Sequence, residues 1–300
     1  MVTPAKGWPW VTREAHRIAA RARKPADTYD AIIFVLDQLY TAGDAHAYDG
    51  FTNPLTAKLE AQIAAQTARQ IGTTPTPPPT VSLLEGRLGV ITIQAVISPP
   101  NTPNGERYTR SALTGLAALE ATARPCGWIV DLRGNTGGNV WPMLLGLGPL
   151  LGDGKLVGFR TRAGSEPYIA YRDGLLFEAG LSFRAPVNVP VFSPAPPVAV
   201  LTDAQTLSSG EAAAIAFHGR ADTRSFGAPT GGVPTSPQTF RLSDGALVHF
   251  STAEDVDRNG VLYSGPIAPD QPVAASLPDA ATIQAAEQWL LTMPQCSAPG

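Results

Sequence analysis

Apolar positions recur at three- and four-residue intervals through the first ~70 residues, over 12–22 and 28–39, and the Ala/Gln-rich stretch 56–70 is similar. That period lays a hydrophobic stripe along one helix face, so the spacing predicts an N-terminal helical segment. The run Gly72-Thr73-Thr74-Pro75-Thr76-Pro77-Pro78-Pro79-Thr80 then interrupts it. Successive prolines lack the amide hydrogen a helix needs and favour an extended linker. The expected domains are a helical domain over 1–71, a Pro/Thr-rich linker over 72–82 and a core over 83–300.

Beyond the linker, short apolar runs alternate with helical patterns. Residues 89–96 (GVITIQAV), 127–132 (GWIVDL) and 197–202 read as strands, and Arg224-Ser225-Phe226-Gly227 begins another. Residues 109–123, 209–218 and 280–291 read as helices, 138–151 as helix in part, and 239–252 as a hairpin around Asp244-Gly245. Strands alternating with helices imply an α/β (α+β) core with some parallel pairing, here a mixed sheet. The proline-rich stretch 97–108 (ISPPNTPNGERY) reads as an inserted loop or small cap.

Bulk properties narrow the classes. The 300 residues, 44% hydrophobic and 16% charged, suffice for one large domain or two modest ones. A net charge of −3 leaves no basic footprint, which argues against nucleic acid or an anionic membrane as partner. The apolar run 140–152 falls short of the ~18 residues a bilayer span needs, and Pro142, Gly146, Gly148 and Pro149 interrupt it. A buried helix with a loop is the better reading. Residues 1–10 lack the charged-then-apolar pattern of a secretory signal, which leaves a cytoplasmic chain or one whose signal has been removed. Cys126 and Cys296 are either two buried thiols, the simpler reading, or one long-range disulfide. No HExxH or Cys/His ligand spacing is present, and the glycine runs lack a dinucleotide fingerprint, so neither a metal nor a cofactor is expected.

Two stretches carry chemistry. The apolar strand Val198-Ala199-Val200-Leu201-Thr202 runs through Asp203-Ala204-Gln205-Thr206-Leu207 into Ser208-Ser209-Gly210-Glu211, where a helix opens. Such a turn exposes a hydroxyl, and the helix start leaves backbone N–H groups free to face a developing anion. The second is Asp131-Leu132-Arg133-Gly134-Asn135-Thr136-Gly137-Gly138, at the carboxyl end of a strand, where open α/β sheets bind ligands. It reads as a piece of oxyanion hole, although taken alone a plain Gly-rich strand-to-helix turn is the simpler reading. A serine nucleophile needs a base, and four histidines are available. His16 sits on a surface helix beside Arg13 and Arg17, and His249 among apolar neighbours of the hairpin. His218 lies ten positions beyond Ser208, about 15 Å along a helix axis, too far to take its proton. His46 follows the small-residue loop Thr41-Ala42-Gly43-Asp44-Ala45, a common setting for a site residue.

Together the D-L-R-x-N-x-G-G run at 131–138 and the S-S-G-E turn at 208–211 resemble the S41 peptidases, the C-terminal processing or tail-specific proteases and their relatives. Gly227-Ala228-Pro229-Thr230-Gly231-Gly232 and Tyr263-Ser264-Gly265-Pro266-Ile267-Ala268-Pro269-Asp270 follow in the family's order, so the resemblance covers about residues 85–275. It implies an N-terminal helical segment followed by an S41-type (ClpP/crotonase-like) α/β core. It also implies Ser208, three residues before Glu211, as nucleophile. The processing proteases activate that serine with a lysine 25 residues on; here that position is Val233, and the last lysine of the chain is Lys155. A Ser–Lys dyad of that kind is excluded. Another branch of the family, similar to the nisin-resistance proteins, lacks a PDZ domain and pairs the serine with an N-terminal histidine after a Gly/Asp turn. Gly43-Asp44-Ala45-His46 matches that pattern.

The resemblance therefore implies a serine endopeptidase with a Ser208–His46 dyad acting on an extended peptide or protein substrate. The oxyanion hole would come from the N–H groups of Ser209 and of Gly137 or Gly138. Glu211 would support the first helical turn, and Arg133 and Asn135 would brace the glycine loop. No third triad member is identifiable, although Asp44 and Asp49 lie near His46 in sequence. Closure across the linker would gate the site. The alternatives are a non-catalytic ligand- or peptide-binding protein on the same fold, and an esterase using the same dyad. The family points to an extracytoplasmic location.

Overall fold

The computed structural model describes residues 3–50, 77–273 and 280–297. In chain order the elements begin with α1 (Trp8–Ala19), α2 (Tyr29–Thr41), β1 (Tyr48–Gly50), β2 (Thr80–Leu84), β3 (Leu88–Thr92), α3 (Pro103–Ala123) and β4 (Gly127–Asp131). They continue with α4 (Val140–Leu151), β5 (Gly154–Thr161), β6 (Tyr168–Arg172), β7 (Leu175–Glu178), β8 (Leu181–Arg184) and β9 (Val198–Thr202). The last are α5 (Ser209–Ile215), β10 (Thr223–Gly227), β11 (Thr235–Arg241), β12 (Leu247–Asp257), β13 (Gln271–Pro272), α6 (Ala280–Leu291) and α7 (Pro294–Ser297). The fold is mixed α/β, with N-terminal helices followed by a sheet-rich core.

The chain divides into two compact units. Among the described residues the first comprises 3–50, 161–164 and 235–254, and the second the remainder. In the first unit β12 pairs antiparallel with both β1 and β11, with Tyr48 opposite His249 and Thr239 opposite the same His249. Leu36, Ala47 and Val248 are buried together, with Ile32, Leu39, Leu242 and Phe250 packed against them. The unit thus joins the N-terminal helices to the hairpin, which sequence reasoning had assigned to the core. The hairpin is longer than its apolar pattern suggested, because polar Thr235 and Ser236 are also paired. Its turn is closed by Ala246 N–H on Asp244 Oδ1 and Gly245 N–H on the Leu242 carbonyl. The expected helix over 56–70 and linker residues 72–76 lie outside the described residues.

The second unit is built on a six-stranded sheet of order β13-β10-β9-β4-β3-β2, parallel except for β2. Residues 198–202 are buried at every position, as expected of a parallel strand covered on both faces. The stretch read as linker gives way at Thr80, where β2 pairs antiparallel with β3 and Val81 packs onto the core. The stretch read as a cap insertion is largely helical. Pro103 is the first residue of α3 and Thr102 Oγ1 accepts the Gly105 N–H, so this proline starts a helix rather than breaking one. Tyr108, Ala112, Leu113 and Leu116 then fall on one buried face. The run 140–151 is a single buried helix despite Pro149, followed by a β5–β8 antiparallel meander that the sequence pattern did not reveal. Helix α5 ends at Ile215, short of His218, as tighter turns and Gly219 at φ 75° close it.

Cys126 and Cys296 form a disulfide with Cα atoms 5.0 Å apart, contrary to the simpler expectation of two free thiols. The bond ties the start of β4 to the C-terminal α7 across 170 residues. A covalent loop of that length strongly restricts the unfolded chain. Cys126→Ser, or reduction of the wild type, should therefore lower unfolding free energy by about 2–5 kcal/mol. Urea denaturation with and without reductant measures it, and a Cys126→Ser protein should show no further response to reductant.

Candidate active site

The parallel sheet places the carboxyl ends of β4 and β9 side by side, and the two motifs leave from them. Leu132 N–H bonds the Leu201 carbonyl at 3.0 Å, which carries the pairing one residue past β4. Asp203 Oδ1 then accepts Gly134 N–H at 3.0 Å and Gln205 N–H at 2.9 Å, while Thr206 Oγ1 donates to the Leu132 carbonyl at 3.0 Å. The two turns are thereby joined before either reaches its candidate residues.

Asn135 makes the next joint. It is fully buried, its Nδ2 donates to the Ile93 carbonyl at 2.9 Å, and its own carbonyl accepts the Leu207 N–H at 2.9 Å. Its Oδ1 accepts the Gly137 N–H at 2.9 Å. That bond removes Gly137 from the expected oxyanion donors, because its only amide hydrogen is already used. Gly137 serves instead by lacking a side chain. At φ 95°, a Cβ there would lie 3.0 Å from Ser208 Cβ and 2.8 Å from the Leu207 carbonyl oxygen. Gly138 is exposed, and no acceptor among the described residues meets its N–H. The same holds for the N–H of Ser209, whose hydroxyl donates to the Gly138 carbonyl at 2.8 Å. Arg133 braces the loop by gripping Asp131 through its backbone N–H, Nε and Nη2 at 3.1, 2.8 and 2.7 Å.

Ser208 precedes α5 with φ 50° and ψ −118°, a conformation natural to glycine and strained for serine. Such a residue costs about 1–3 kcal/mol and persists only where its surroundings fix it. Glu211 does much of the fixing. Its side chain is fully buried and its Oε2 accepts the N–H groups of Ser208 and Val233, each at 2.8 Å. Its Oε1 accepts Gly232 N–H at 2.9 Å and Thr230 Oγ1–H at 2.5 Å. Sequence reasoning gave Glu211 a helix-dipole role; the larger role is to clamp the Ser208 turn to the 230–233 loop. Thr230 in turn accepts Ile267 N–H at 2.8 Å, which brings in the segment 263–270. The side chain at 233 is valine, so this position supplies the site with its amide alone.

A second carboxyl lies nearby. Asp255 is 2% exposed, its Oδ1 is enclosed without a hydrogen-bond partner among the described residues, and its N–H donates to the Pro234 carbonyl at 3.0 Å. Burial, reinforced by the charge of Glu211, pushes its pKa up to about 8.

The candidate base is held in the first unit by local chain logic. Gly43, at φ 107°, ends α2: its N–H bonds the Tyr40 carbonyl and the Asp44 N–H reaches back to Leu39. Asp44 Oδ1 then accepts the His46 N–H at 3.1 Å, setting the turn that carries the imidazole. His46 Nδ1 lies 2.9 Å from Thr235 Oγ1 and 3.3 Å from Ser251 Oγ. Ser251 donates from its hydroxyl to Asp44 Oδ1 at 2.7 Å and from its N–H to Oδ2 at 3.1 Å. Burial holds the His46 pKa below the usual histidine value, with Asp44 opposing that shift and His249 adding to it. Sequence reasoning noted Asp44 without its orientation and missed Thr235 and Ser251, for which no local signal exists. Of the other histidines, His218 packs edge-on against Tyr263 and His249 bonds Thr239 Oγ1 at 2.7 Å. Among the described residues no group of three or more His, Cys, Asp or Glu is arranged to hold a metal ion, and no helix is long and apolar enough to cross a membrane.

Residues 87–273 match the description Peptidase family S41. Over 145 residues, 48% of this chain, the sequence is 37% identical to the nisin-resistance protein of Lactococcus lactis subsp. lactis, a stretch covering 45% of that protein. The match thus extends over less than half the length of that curated relative. A lipoprotein from Streptococcus agalactiae shares the fold with a TM-score of 0.67 at 21% identity, over 94% of this chain and 88% of that one.

Two outcomes follow from this geometry. Ser208→Gly should be more stable than Ser208→Ala by about 1 kcal/mol, because glycine relieves the positive φ that alanine retains. Equal denaturation midpoints would remove the strain from the account. Asp255, with its folded-state pKa raised far above the unfolded value, keeps a proton that the unfolded chain releases between about pH 4 and 8. Stability therefore falls as pH rises through that window, and melting curves of Asp255→Asn against wild type should show a smaller decline from pH 5 to pH 8.

Proposed function

Because the chain belongs to peptidase family S41, we propose that it is a serine endopeptidase cleaving an extended peptide or protein substrate, with Ser208 as nucleophile and His46 as base. The observation that carries the reading is the strained Ser208 turn, pinned by Glu211 beside the N–H groups of Ser209 and Gly138, which meet no acceptor among the described residues. Strain of this kind, at the head of a helix after a parallel strand, marks nucleophile turns in hydrolases.

His46 Nε2, in the neutral imidazole, takes the proton from Ser208 Oγ as the new C–O bond forms at the peptide carbonyl. The carbonyl oxygen becomes an oxyanion, held by the Ser209 and Gly138 N–H groups. As the C–N bond breaks, the imidazolium returns the proton to the leaving amine nitrogen. Water then repeats the sequence on the acyl-serine, with His46 again as base. Neither a metal nor a cofactor enters the scheme. The 37% identity to a nisin-resistance protein supports a peptide substrate. An extracytoplasmic location is supported by the disulfide, which persists in oxidising compartments, and by the resemblance to a lipoprotein.

A fluorophosphonate probe should label the wild type and leave Ser208→Ala unlabelled. His46→Ala should slow both labelling and peptide turnover by on the order of 10³-fold or more. Labelling that survives in both variants would sink the dyad, and turnover confined to ester substrates would reassign the enzyme as an esterase. Because burial lowers the His46 pKa, the base stays neutral to lower pH than an ordinary histidine. The acid limb of kcat/KM should therefore have its midpoint below about 6.5.

A further inference from the structure

The hydrogen-bonded chain behind His46 has a direction. Asp44, 5% exposed, has carboxylate oxygens that can only accept, and Ser251 gives its single hydroxyl hydrogen to Oδ1 at 2.7 Å. Ser251 Oγ is then an acceptor, so the 2.8 Å link to Thr235 is Thr235 Oγ1–H donating to Ser251. Thr235 Oγ1 has no second hydrogen, so the 2.9 Å link to the imidazole is His46 Nδ1–H donating to Thr235. Each link fixes the next, starting from the carboxylate.

The strand geometry that permits this is specific. Between β11 and β12 the register shifts, with Ser236 opposite Ala253 but Pro237 opposite Ser251. The extra residue, Thr252, is a β-bulge, a device that re-aims side chains. It brings Thr235 and Ser251 within hydrogen-bond distance of each other although regular pairing would not make them neighbours on one face. Asp44 is only two residues before His46, yet its carboxylate is taken by the backbone N–H groups of His46 and Ser251 and by the Ser251 hydroxyl. It reaches the imidazole through hydroxyls rather than directly.

We infer that Thr235, Ser251 and Asp44 are positioning residues for the reaction, a two-hydroxyl relay that keeps a hydrogen on His46 Nδ1, makes Nε2 the basic nitrogen and aligns the Asp44 carboxylate with the imidazolium. The inference rests on His46 being the base. No proton travels along the relay: the one taken from Ser208 stays on Nε2 until it passes to the leaving amine. Among the described residues, Asp44 from its own turn and His249 from β12 act electrostatically on His46.

The test uses 15N-labelled full chain and long-range 1H–15N correlation of the imidazoles, with His46 assigned by its absence in His46→Gln. Above the imidazole's titration, wild-type His46 should carry its hydrogen on Nδ1. Thr235→Val should lose that preference and lower kcat by about 10- to 100-fold with KM little changed. Thr235→Ser, which keeps the hydroxyl, should restore both tautomer and turnover, separating the relay from any folding defect. Asp44→Asn should move the acid limb of kcat to lower pH, since the carboxylate raises the His46 pKa. A wild-type Nε2–H tautomer overturns the relay, and so does a Thr235→Val protein with unchanged tautomer and turnover while His46→Gln is inactive. Full turnover in His46→Gln overturns the underlying reading instead.

Discussion

One buried carboxylate governs the serine turn. The two oxygens of Glu211 take four hydrogens, three from backbone amides and one from Thr230. A buried carboxylate survives only where its lone pairs are matched, so those four donors must stay where they are. One of them is the amide of Ser208, and the constraint passes directly into its backbone angles. The strain at Ser208 is thus offset by bonds to a residue three positions on and to a loop more than twenty positions on. Asn135, from the glycine loop, and Asp203, from the serine turn's own side, join the two turns, so the candidate donors and the serine form one hydrogen-bonded block.

Asp255 shows the limit of what this block tolerates. Burial and the charge of Glu211 push its pKa up to about 8, and its Oδ1 meets no partner among the described residues. Two carboxyls sharing a low-dielectric region disfavour a second negative charge, which is the direction of the Asp255 shift.

Much of this was legible in the sequence, and for a physical reason. The serine turn, the glycine loop and the Gly43–His46 turn are local: a helix start, a tight loop and a helix stop, each encoded by a few adjacent residues. The parallel strands announced themselves by unbroken apolar runs. What could not be read was tertiary. The use of the Gly137 amide by Asn135 depends on where a side chain turns back. The approach of Thr235 to Ser251 depends on a bulge, and Thr and Ser in strands carry no signal beyond propensity. The β5–β8 meander escaped because its strands are short and only partly apolar. Pro103 was misread because proline starts helices as well as ending them, and only the cap at Thr102 distinguishes the two.

The 230–233 loop holds the serine turn through its backbone. Position 233 contributes an amide to Glu211, and that bond is indifferent to the side chain. With valine there, the loop still clamps the serine turn. On the proposed reading, holding Ser208 in its strained conformation and activating it would be separable tasks. The backbone amides around Glu211 perform the first within the second unit. The second task would fall to an imidazole with a defined tautomer, which a carboxylate-terminated chain of hydroxyls is chemically suited to supply. The clamp on Ser208 would therefore stand whichever base the reaction used.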